Sequence, residues 1–148
     1  MRIYLDNCSY NRPYDDQSQL RISLETQAKL QIQSMIKDGK MELAASYVLQ
    51  YENSRNPLRS KKNSIWNFVK ENLIAYIDVD RADAVKKIAD EIIETGVKTA
   101  DAYHTACAIL SECDYLITTD DRLLKYKSDK IKIVDPTTFI RETEAQEQ

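Results

Sequence analysis

Four acidic residues stand where they could converge at one edge of a sheet: Asp6, Glu52, Asp101 and Asp120. Two of them directly follow apolar runs typical of buried strands, and two fall in segments with helical spacing. Open α/β folds bind their ligands at the carboxyl ends of parallel strands. Oxygen ligands without His or Cys favour Mg²⁺ or Mn²⁺. Such ions can activate water and stabilise the leaving oxygen in a displacement at a phosphodiester.

Two of these acids occupy positions where a lone carboxylate is costly. Glu52 shares a helical side with Val48 and Leu49, so it is expected to face inward and to need a partner. Asp101 lies among small residues, which allow a ligand or another chain segment to approach, and the helix N-terminus favours its ionised form. If the acids converge, their mutual repulsion raises their pKa values unless cations neutralise them.

Each acid also has a purely structural interpretation. Asp6 could be a turn residue after a strand, and Asp101 could complement a helix dipole. Asp120 could cap a helix, and Glu52 could be half of a surface ion pair. Only the common position at one sheet edge couples the four residues, so a shared metal site and four separate structural roles both stay open here.

Length and composition restrict the class of protein. With 148 residues and 43% apolar content, the chain is long enough for one core, so we expect one domain over residues 1–142 and a polar tail over 143–148. Two glycines are too few for a Gly-x-Gly-x-x-Gly turn or a P-loop. The sequence shows neither a long apolar run nor a signal-peptide pattern, which predicts a cytoplasmic protein without a membrane span. The three cysteines are expected to be reduced, buried hydrophobes: Cys8, Cys107 and Cys113.

The charge distribution allows only local contact with nucleic acid. The formal net charge is −3, so the chain does not resemble a polycation that coats nucleic acid. One dense basic stretch contains Arg55, Arg59, Lys61 and Lys62, and a second contains Arg122, Lys125 and Lys127. Either stretch could bind a phosphate backbone or could be a solvated face.

Apolar periodicity places strands and helices in alternation. Strands are predicted at 2–6, 41–45, 74–79, 115–118 and 131–134. Helices are predicted at 20–36 before Gly39, at 47–53 after the cap Ser46, around 65–73, at 82–93 after the cap Asp80, at 100–111 after the cap Thr99, and at 121–126. This alternation implies right-handed crossovers and a parallel sheet covered on both faces, an α/β three-layer sandwich.

The acids and their neighbours resemble the acidic signatures of PIN domains. The matching pieces are Leu5-Asp6-Asn7, Glu52, the run from Asp101 to Ala108, and Thr118-Thr119-Asp120, and their order covers nearly the whole chain. The resemblance implies a five-stranded parallel sheet in the order 3-2-1-4-5 and a ribonuclease activity that depends on Mg²⁺ or Mn²⁺. It also implies frequent service as the toxin of a toxin–antitoxin pair, with an antitoxin protein as partner.

Residue by residue, the resemblance assigns metal binding and catalysis to Asp6, Glu52 and Asp101. Asp120 falls on the more variable fourth position. Thr118 falls on the hydroxyl position that supports the first aspartate of the family.

The resemblance leaves four further features to be placed. Asp121 competes with Asp120 for the fourth role, and His104 is expected to support the acids or to pack rather than to bind metal. The basic stretch from Arg55 to Lys62 is expected to contact RNA. The polar loop from Asn11 to Gln17 makes the first interval longer than usual and has no assigned role.

Two other functions compete with ribonuclease activity. A haloacid-dehalogenase-like phosphatase also places an aspartate after its first strand, but that family requires Asp-x-Asp, and here Asp6 precedes Asn7 and Cys8. The second alternative is a catalytically silent PIN-like module that binds RNA or protein. Apolar helix faces, if exposed, would also permit a homodimer.

Overall fold

Five parallel strands form one sheet in the order β3-β2-β1-β4-β5, as the resemblance implied. The computed structural model describes residues 1–147. The strands of this part of the chain are β1 Arg2–Leu5, β2 Glu42–Ser46, β3 Leu73–Ile77, β4 Tyr115–Ile117 and β5 Lys132–Val134. Because every pair is parallel, all five carboxyl ends lie at the same edge of the sheet.

Helices cover both faces of this sheet. They are α1 Asn7–Asn11, α2 Leu20–Lys37, α3 Tyr47–Ser54, α4 Arg59–Asn72, α5 Ala82–Ile93, α6 Thr99–Leu110, α7 Asp121–Leu124 and α8 Pro136–Glu147. Gly39 and Gly96 follow α2 and α5 with positive φ values, which glycine adopts without steric cost. Within residues 1–147, no helix has the length and apolar character that a membrane crossing requires.

The side chains of β1 alternate between two hydrophobic cores. Ile3 and Leu5 pack with α2, α4 and α8 on one face. Tyr4 packs with α5 and α6 on the other face. All three side chains are fully buried, and burial of a side chain of this size stabilises the fold by roughly 2 kcal/mol. The two cores make the predicted three-layer sandwich.

Three strands lead into helices whose first turns are capped by a residue at the strand end or up to three residues after it. Asp6 Oδ1 accepts a hydrogen bond from the backbone of Ser9 at 3.0 Å. Ser46 Oγ accepts from the backbone of Leu49 at 3.2 Å, which confirms the predicted cap. Asp120 Oδ1 accepts from the backbone of Arg122 at 2.8 Å. Caps of this kind stabilise a helix by about 1 kcal/mol each, and they fix the chain at the carboxyl edge.

Two predicted helix caps were wrong, and the largest error in a strand boundary lies at the end of the third strand. The third strand ends at Ile77 rather than at residue 79, since Val79 is 64% exposed and belongs to a short 3₁₀ turn. Asp80 does not cap α5: it lies within that turn, which Asp78 caps by accepting from the backbone of Val79 at 2.7 Å. Arg81 occupies the cap position of α5 without a side-chain hydrogen bond. Thr99 is the first residue of α6, and Lys98 occupies the cap position without a side-chain hydrogen bond.

Two helices were not predicted, α1 and α8. The residues of α1 are weak helix formers, so their sequence does not predict a helix. The side chain of Asp6, which caps the first turn, stabilises α1 instead. Pro136 begins α8 while Asp135 accepts from the backbone of Thr138 at 2.7 Å, a local signal that was available in the sequence. The predicted boundary at residue 142 falls inside α8, where Thr143 is buried. The division into domain and tail stays a prediction, and residue 148 lies outside the described residues.

Candidate functional site

Four elements bring the predicted acids to the carboxyl edge of the sheet. Asp6 follows β1, Asp120 closely follows β4, Asp101 lies in the first turn of α6, and Glu52 lies in α3. The backbone of Asp6 donates to the carbonyl of Ile117 at 3.2 Å, which ties the ends of β1 and β4 together. We call these four residues, Asp6, Glu52, Asp101 and Asp120, the acidic edge.

Asp101 shows that three members of the acidic edge share one electrostatic environment. Burial raises the pKa of its carboxyl most, and the negative charges of Asp120 and Asp6 raise it further, to about 6. His104 and Lys98 act in the opposite direction. Charges influence a pKa in this way only at short range, so the carboxylates of Asp6 and Asp120 lie within electrostatic range of Asp101.

Glu52 ends a chain of hydrogen bonds that runs into the core. His104 Nε2 lies 2.8 Å from Glu52 Oε1, and His104 Nδ1 lies 2.7 Å from the hydroxyl of Tyr4. The Tyr4 hydroxyl lies 2.6 Å from Ser46 Oγ. One assignment satisfies every group: Ser46 donates to Tyr4, Tyr4 donates to Nδ1, and the Nε2 proton is donated to Glu52. Burial raises the pKa of Tyr4 well above its ordinary value, so its hydroxyl keeps the proton that it donates.

The carboxylate of Asp6 is held from one side by Cys8. The Cys8 thiol donates to Asp6 Oδ1 at 3.0 Å, and its sulfur lies 3.4 Å from Thr118 Oγ1. Burial, followed by the charge of Asp6, raises the pKa of Cys8 to about 12, so it stays a thiol and a donor. Thr118 also accepts from the backbone of Asp120 at 3.1 Å. The support that Thr118 was expected to lend to Asp6 therefore passes through Cys8.

The cysteines have two different surroundings. Cys8 is only partly buried and has a polar contact, so its interpretation as a small buried hydrophobe was wrong. Cys107 and Cys113 are buried in the core beside β4, as predicted.

The donor chemistry of the acidic edge fits a hard cation, although the spacing does not form a closed ligand set. Within the described part of the chain, no three His, Cys, Asp or Glu side chains stand close enough together to hold one metal ion. Both nitrogens of His104 and the thiol of Cys8 already have partners. Asp6, Glu52 and Asp120 each use one carboxylate oxygen in a hydrogen bond and retain a second oxygen. The atoms that could bind a metal at the acidic edge are therefore carboxylate oxygens, which suit Mg²⁺ or Mn²⁺.

Asp121, the competitor for the fourth acidic position, is bound elsewhere. Both terminal nitrogens of Arg21 in α2 donate to its carboxylate, at 3.0 and 2.8 Å. Arg21 also donates to the carbonyl of Thr119 at 3.1 Å. This pairing lowers the pKa of Asp121. Asp120 is thus the member of the pair that joins Asp101 and Asp6.

Part of the first basic stretch lies beside Glu52. A cleft of about 260 Å³ is lined by Glu52, Arg55 and Lys61 together with residues of α1 and the loop before α4. Arg55 stacks on the exposed ring of Tyr51, and the Lys61 ammonium lies 5.0 Å from the centre of the Tyr14 ring. Arg59 and Lys62 lie in the same helix as Lys61, outside the lining of this cleft.

Three residues that hold the acidic edge were not recognised from the sequence pattern: Tyr4, Ser46 and Cys8. Ser46 was identified only as a cap, because its second partner lies in another strand. Tyr4 and His104 are separated by 100 positions, so no local pattern connects them. Cys8 had a usable signal, since a polar atom two residues after a buried aspartate at a helix start can turn back to it.

The fold is similar to one that has been solved experimentally. The chain superposes with a TM-score of 0.53 on a chain from the crystal structure of VapBC2 from Rickettsia felis bound to a DNA fragment from their promoter. The two chains are 15% identical, and the match covers 90% of this chain and 97% of the other. No family model and no curated protein matches the sequence. At this identity the likeness concerns the fold alone, and with the strand order it makes the architecture PIN-like.

Proposed function

We propose that this protein is a metal-dependent endoribonuclease that hydrolyses RNA phosphodiester bonds at the acidic edge. The observation that carries the proposal is the position of Asp101 beside Asp120 and Asp6, where burial first and then these two negative charges raise the pKa of its carboxyl to about 6. Like charges held together at a sheet edge, beside a cleft that contains Arg55 and Lys61, are typical of functional sites rather than of stabilising networks.

Mg²⁺ or Mn²⁺ would be held by Asp6, Glu52, Asp101 and Asp120. When bound, the ion would supply activation of a water molecule and stabilisation of the leaving oxygen. His104 orients the Glu52 carboxylate through Nε2, as second-sphere partners do in metal sites. Cys8 and the backbone of Ser9 hold Asp6 Oδ1, which leaves the other oxygen facing away from these donors.

The basic side chains of the cleft would supply contact with the RNA backbone. Arg55 and Lys61 are placed next to Glu52, and their positive charge offsets the repulsion between the acidic edge and a phosphate. Arg59 and Lys62 would act at longer range, since they lie outside the cleft. The aromatic rings of Tyr51 and Tyr14 lie next to Arg55 and Lys61, respectively, and offer surfaces on which unpaired bases can stack.

A toxin–antitoxin role belongs to the same proposal. The PIN-like fold and the likeness to a chain of the VapBC2 structure support a protein partner for this chain. Leu20 and Leu24 of α2 are 74% and 46% exposed, so this helix offers an apolar surface to such a partner or to a second copy. The cytoplasmic location stays a prediction.

One specific observation favours the alternative of a binding module that does not cleave. Asp6 and Asp120 both cap helices, so each has a structural role that does not require a metal. Within the described residues, the acids do not form a closed ligand set. A silent PIN-like scaffold would retain these acids for capping alone.

Cleavage assays with a matched pair of variants separate the two functions. We expect the purified chain to cleave single-stranded RNA with Mn²⁺ or Mg²⁺ and to stop when EDTA is added. Asp6→Asn should abolish cleavage while the asparagine still caps α1. The control is Asp78→Asn, because Asp78 caps the turn after β3 in the same way but lies outside the acidic edge.

The same pair provides a readout that does not depend on catalysis. Mn²⁺ should raise the thermal midpoint of the wild type and of Asp78→Asn, but not of Asp6→Asn. Full cleavage by a folded Asp6→Asn protein would contradict the proposed site. Binding of RNA without cleavage at any metal concentration would establish the silent module instead.

A further inference from the structure

A second concave surface lies against Asp101, on the other side of the acidic edge from Glu52. It is a cavity of about 460 Å³ between the turn that precedes α6 and the segment from Arg122 to Lys127. The first cleft is built from elements that follow β1 and β2, whereas this cavity is built from α6 and from the segment that follows β4. Because β1 lies between β2 and β4, the acidic edge lies between the two concave surfaces.

The cavity is strongly basic although the whole chain is acidic. Its lining contains four cationic side chains and a single carboxylate, that of Asp101: the cations are Lys98, Arg122, Lys125 and Lys127. The net charge of the chain is −3. A local excess of positive charge in a concave surface attracts an anionic ligand.

These cations are not used to stabilise the fold through ion pairs. Among the described residues, the salt bridges within 4.0 Å involve none of the four. Other lysines of the chain behave differently, since Lys86 pairs with Asp90 at 2.7 Å and Lys132 pairs with Glu142 at 2.8 Å. All four cations are exposed, and all four line the cavity.

We propose that this cavity, called here the second phosphate pocket, binds a backbone phosphate of the RNA strand on one side of the cleaved bond. The cleft at Arg55 and Lys61 then binds the strand on the other side. The inference rests on the proposed ribonuclease function. Carboxylates repel a phosphodiester, so a strand that crosses the acidic edge needs cations on both flanks to stay in place.

A pair of double variants with equal changes of charge tests the pocket. Lys125→Gln/Lys127→Gln removes two cations of the second phosphate pocket. The control, Lys40→Gln/Lys70→Gln, removes two exposed lysines at the opposite edge of the sheet, just before β2 and β3. The probe is a fluorescein-labelled single-stranded RNA of about twelve nucleotides, whose binding is followed by anisotropy in EDTA over a series of salt concentrations.

We expect the pocket variant to bind this RNA about tenfold more weakly, with a slope of log K against log salt reduced by about one. The control should stay close to the wild type in both quantities. In cleavage assays the pocket variant should raise KM and preserve kcat, since it removes binding that is equal in ground and transition states. An RNA dinucleotide, which has no second backbone phosphate for the pocket to bind, should be cleaved equally by the variant and the control.

The outcomes separate the pocket from the proposed function. If the wild type cleaves no RNA but the pocket variant loses RNA affinity, the ribonuclease proposal fails and the pocket stands. If the pocket variant binds RNA with the affinity and salt slope of the control, the pocket is overturned while cleavage by the wild type still supports the ribonuclease. Loss of affinity for a poly-glutamate peptide with unchanged RNA binding would assign the cavity to an acidic peptide and also overturn the proposal.

Discussion

Asp120 and Asp121 are neighbours in sequence, yet they belong to two regions with opposite electrostatics. Asp120 is part of the acidic edge, where burial and like charges raise the pKa of Asp101. Asp121 is part of an ion-pair network whose members are Arg12, Asp15, Arg21, Glu25 and Asp121. In that network Arg21 lowers the pKa of Asp121.

The ion-pair network shows how this fold compensates a carboxylate when stability is the only requirement. Glu25 is buried, and its carboxylate forms salt bridges with Arg12 at 2.8 Å and with Arg21 at 3.4 Å. The acidic edge has no comparable guanidinium partner among the described residues, since Glu52 is held by a histidine and Asp6 by a thiol. The difference indicates that the network stabilises the fold, whereas the acidic edge retains repulsion that a ligand can relieve.

The largest expected effect is the loss of cleavage at the centre of the acidic edge. Glu52→Gln and Asp101→Asn should each lower the cleavage rate more than about 100-fold at any Mn²⁺ concentration, beyond the loss typical of second-sphere residues. Asp120→Asn should keep part of the activity and need more metal, because solvent replaces a ligand at the margin of a Mg²⁺ site more easily than at its centre. Titration of Mn²⁺ against rate for the three variants measures this. An Asp120→Asn protein as inactive as the others at saturating metal would place Asp120 in the essential core.

Removal of a cation from the ion-pair network should affect stability instead of catalysis. Arg12→Ala leaves Glu25 buried with only the longer contact to Arg21, so we expect the free energy of unfolding to fall by about 3 kcal/mol. Urea denaturation measures the change, and Lys86→Ala, which breaks an exposed pair with Asp90, is the control and should have little effect. The cleavage rate per folded molecule should not change. A large loss of activity in folded Arg12→Ala protein would mean that the two regions are coupled.

His104 should act as a positioning residue with a smaller effect. His104→Phe keeps an aromatic ring, though a larger one, and removes the hydrogen bonds to Glu52 and Tyr4. We expect a rate about tenfold lower and a higher Mn²⁺ concentration for half-maximal activity, because Glu52 is no longer held. His104→Gln can still donate to Glu52 and should recover part of both. Equal losses in the two variants would show that packing, not the hydrogen bond, matters at this position.

The smallest expected effect is on the pH dependence of stability without metal. Because the pKa of Asp101 is about 6 in the folded state and its ordinary value is 3.8, the folded protein binds more protons than the unfolded chain between these two pH values. The free energy of unfolding of the wild type should therefore decrease as the pH rises from about 4 to about 6. Asp101→Asn removes this pH-dependent contribution to the free energy of unfolding. Above pH 6 the variant should be more stable than the wild type by about 1 kcal/mol, after allowance for the partial exposure of Asp101.

A variant of the ion-pair network tests the sign of this effect. Asp121→Asn should destabilise the protein above the pKa of Asp121, because that pKa is lowered by Arg21 in the folded state. Denaturation in EDTA across the pH range, with both variants beside the wild type, measures the two slopes. Changes of the same sign for Asp101→Asn and Asp121→Asn would remove the contrast between the two regions.

Much of the fold was predictable because its signals are local. Helical periodicity and the cap at Ser46 predicted α3, and Gly39 marked the end of α2. The positions of Asp6 and Asp120 after apolar runs predicted that they would lie at the carboxyl edge of a parallel sheet, where the structure places them. Boundaries such as the end of β3 were less accurate, since Val79 has a strand-forming side chain but lies exposed in a turn.

Sequence by itself determined which acids could meet, because each lies next to an element whose pattern is local. Only the tertiary structure decided the partner of each acid. Tyr4 meets His104, and Arg21 meets Asp121, across 100 positions of sequence in each case. Arg21 in α2 binds Asp121, whereas Asp120 lies near Asp101. The sequence of two adjacent aspartates does not show which of them has which partner. The reason is physical: a carboxylate's role depends on the charges and donors that surround it, and packing brings these from distant parts of the chain.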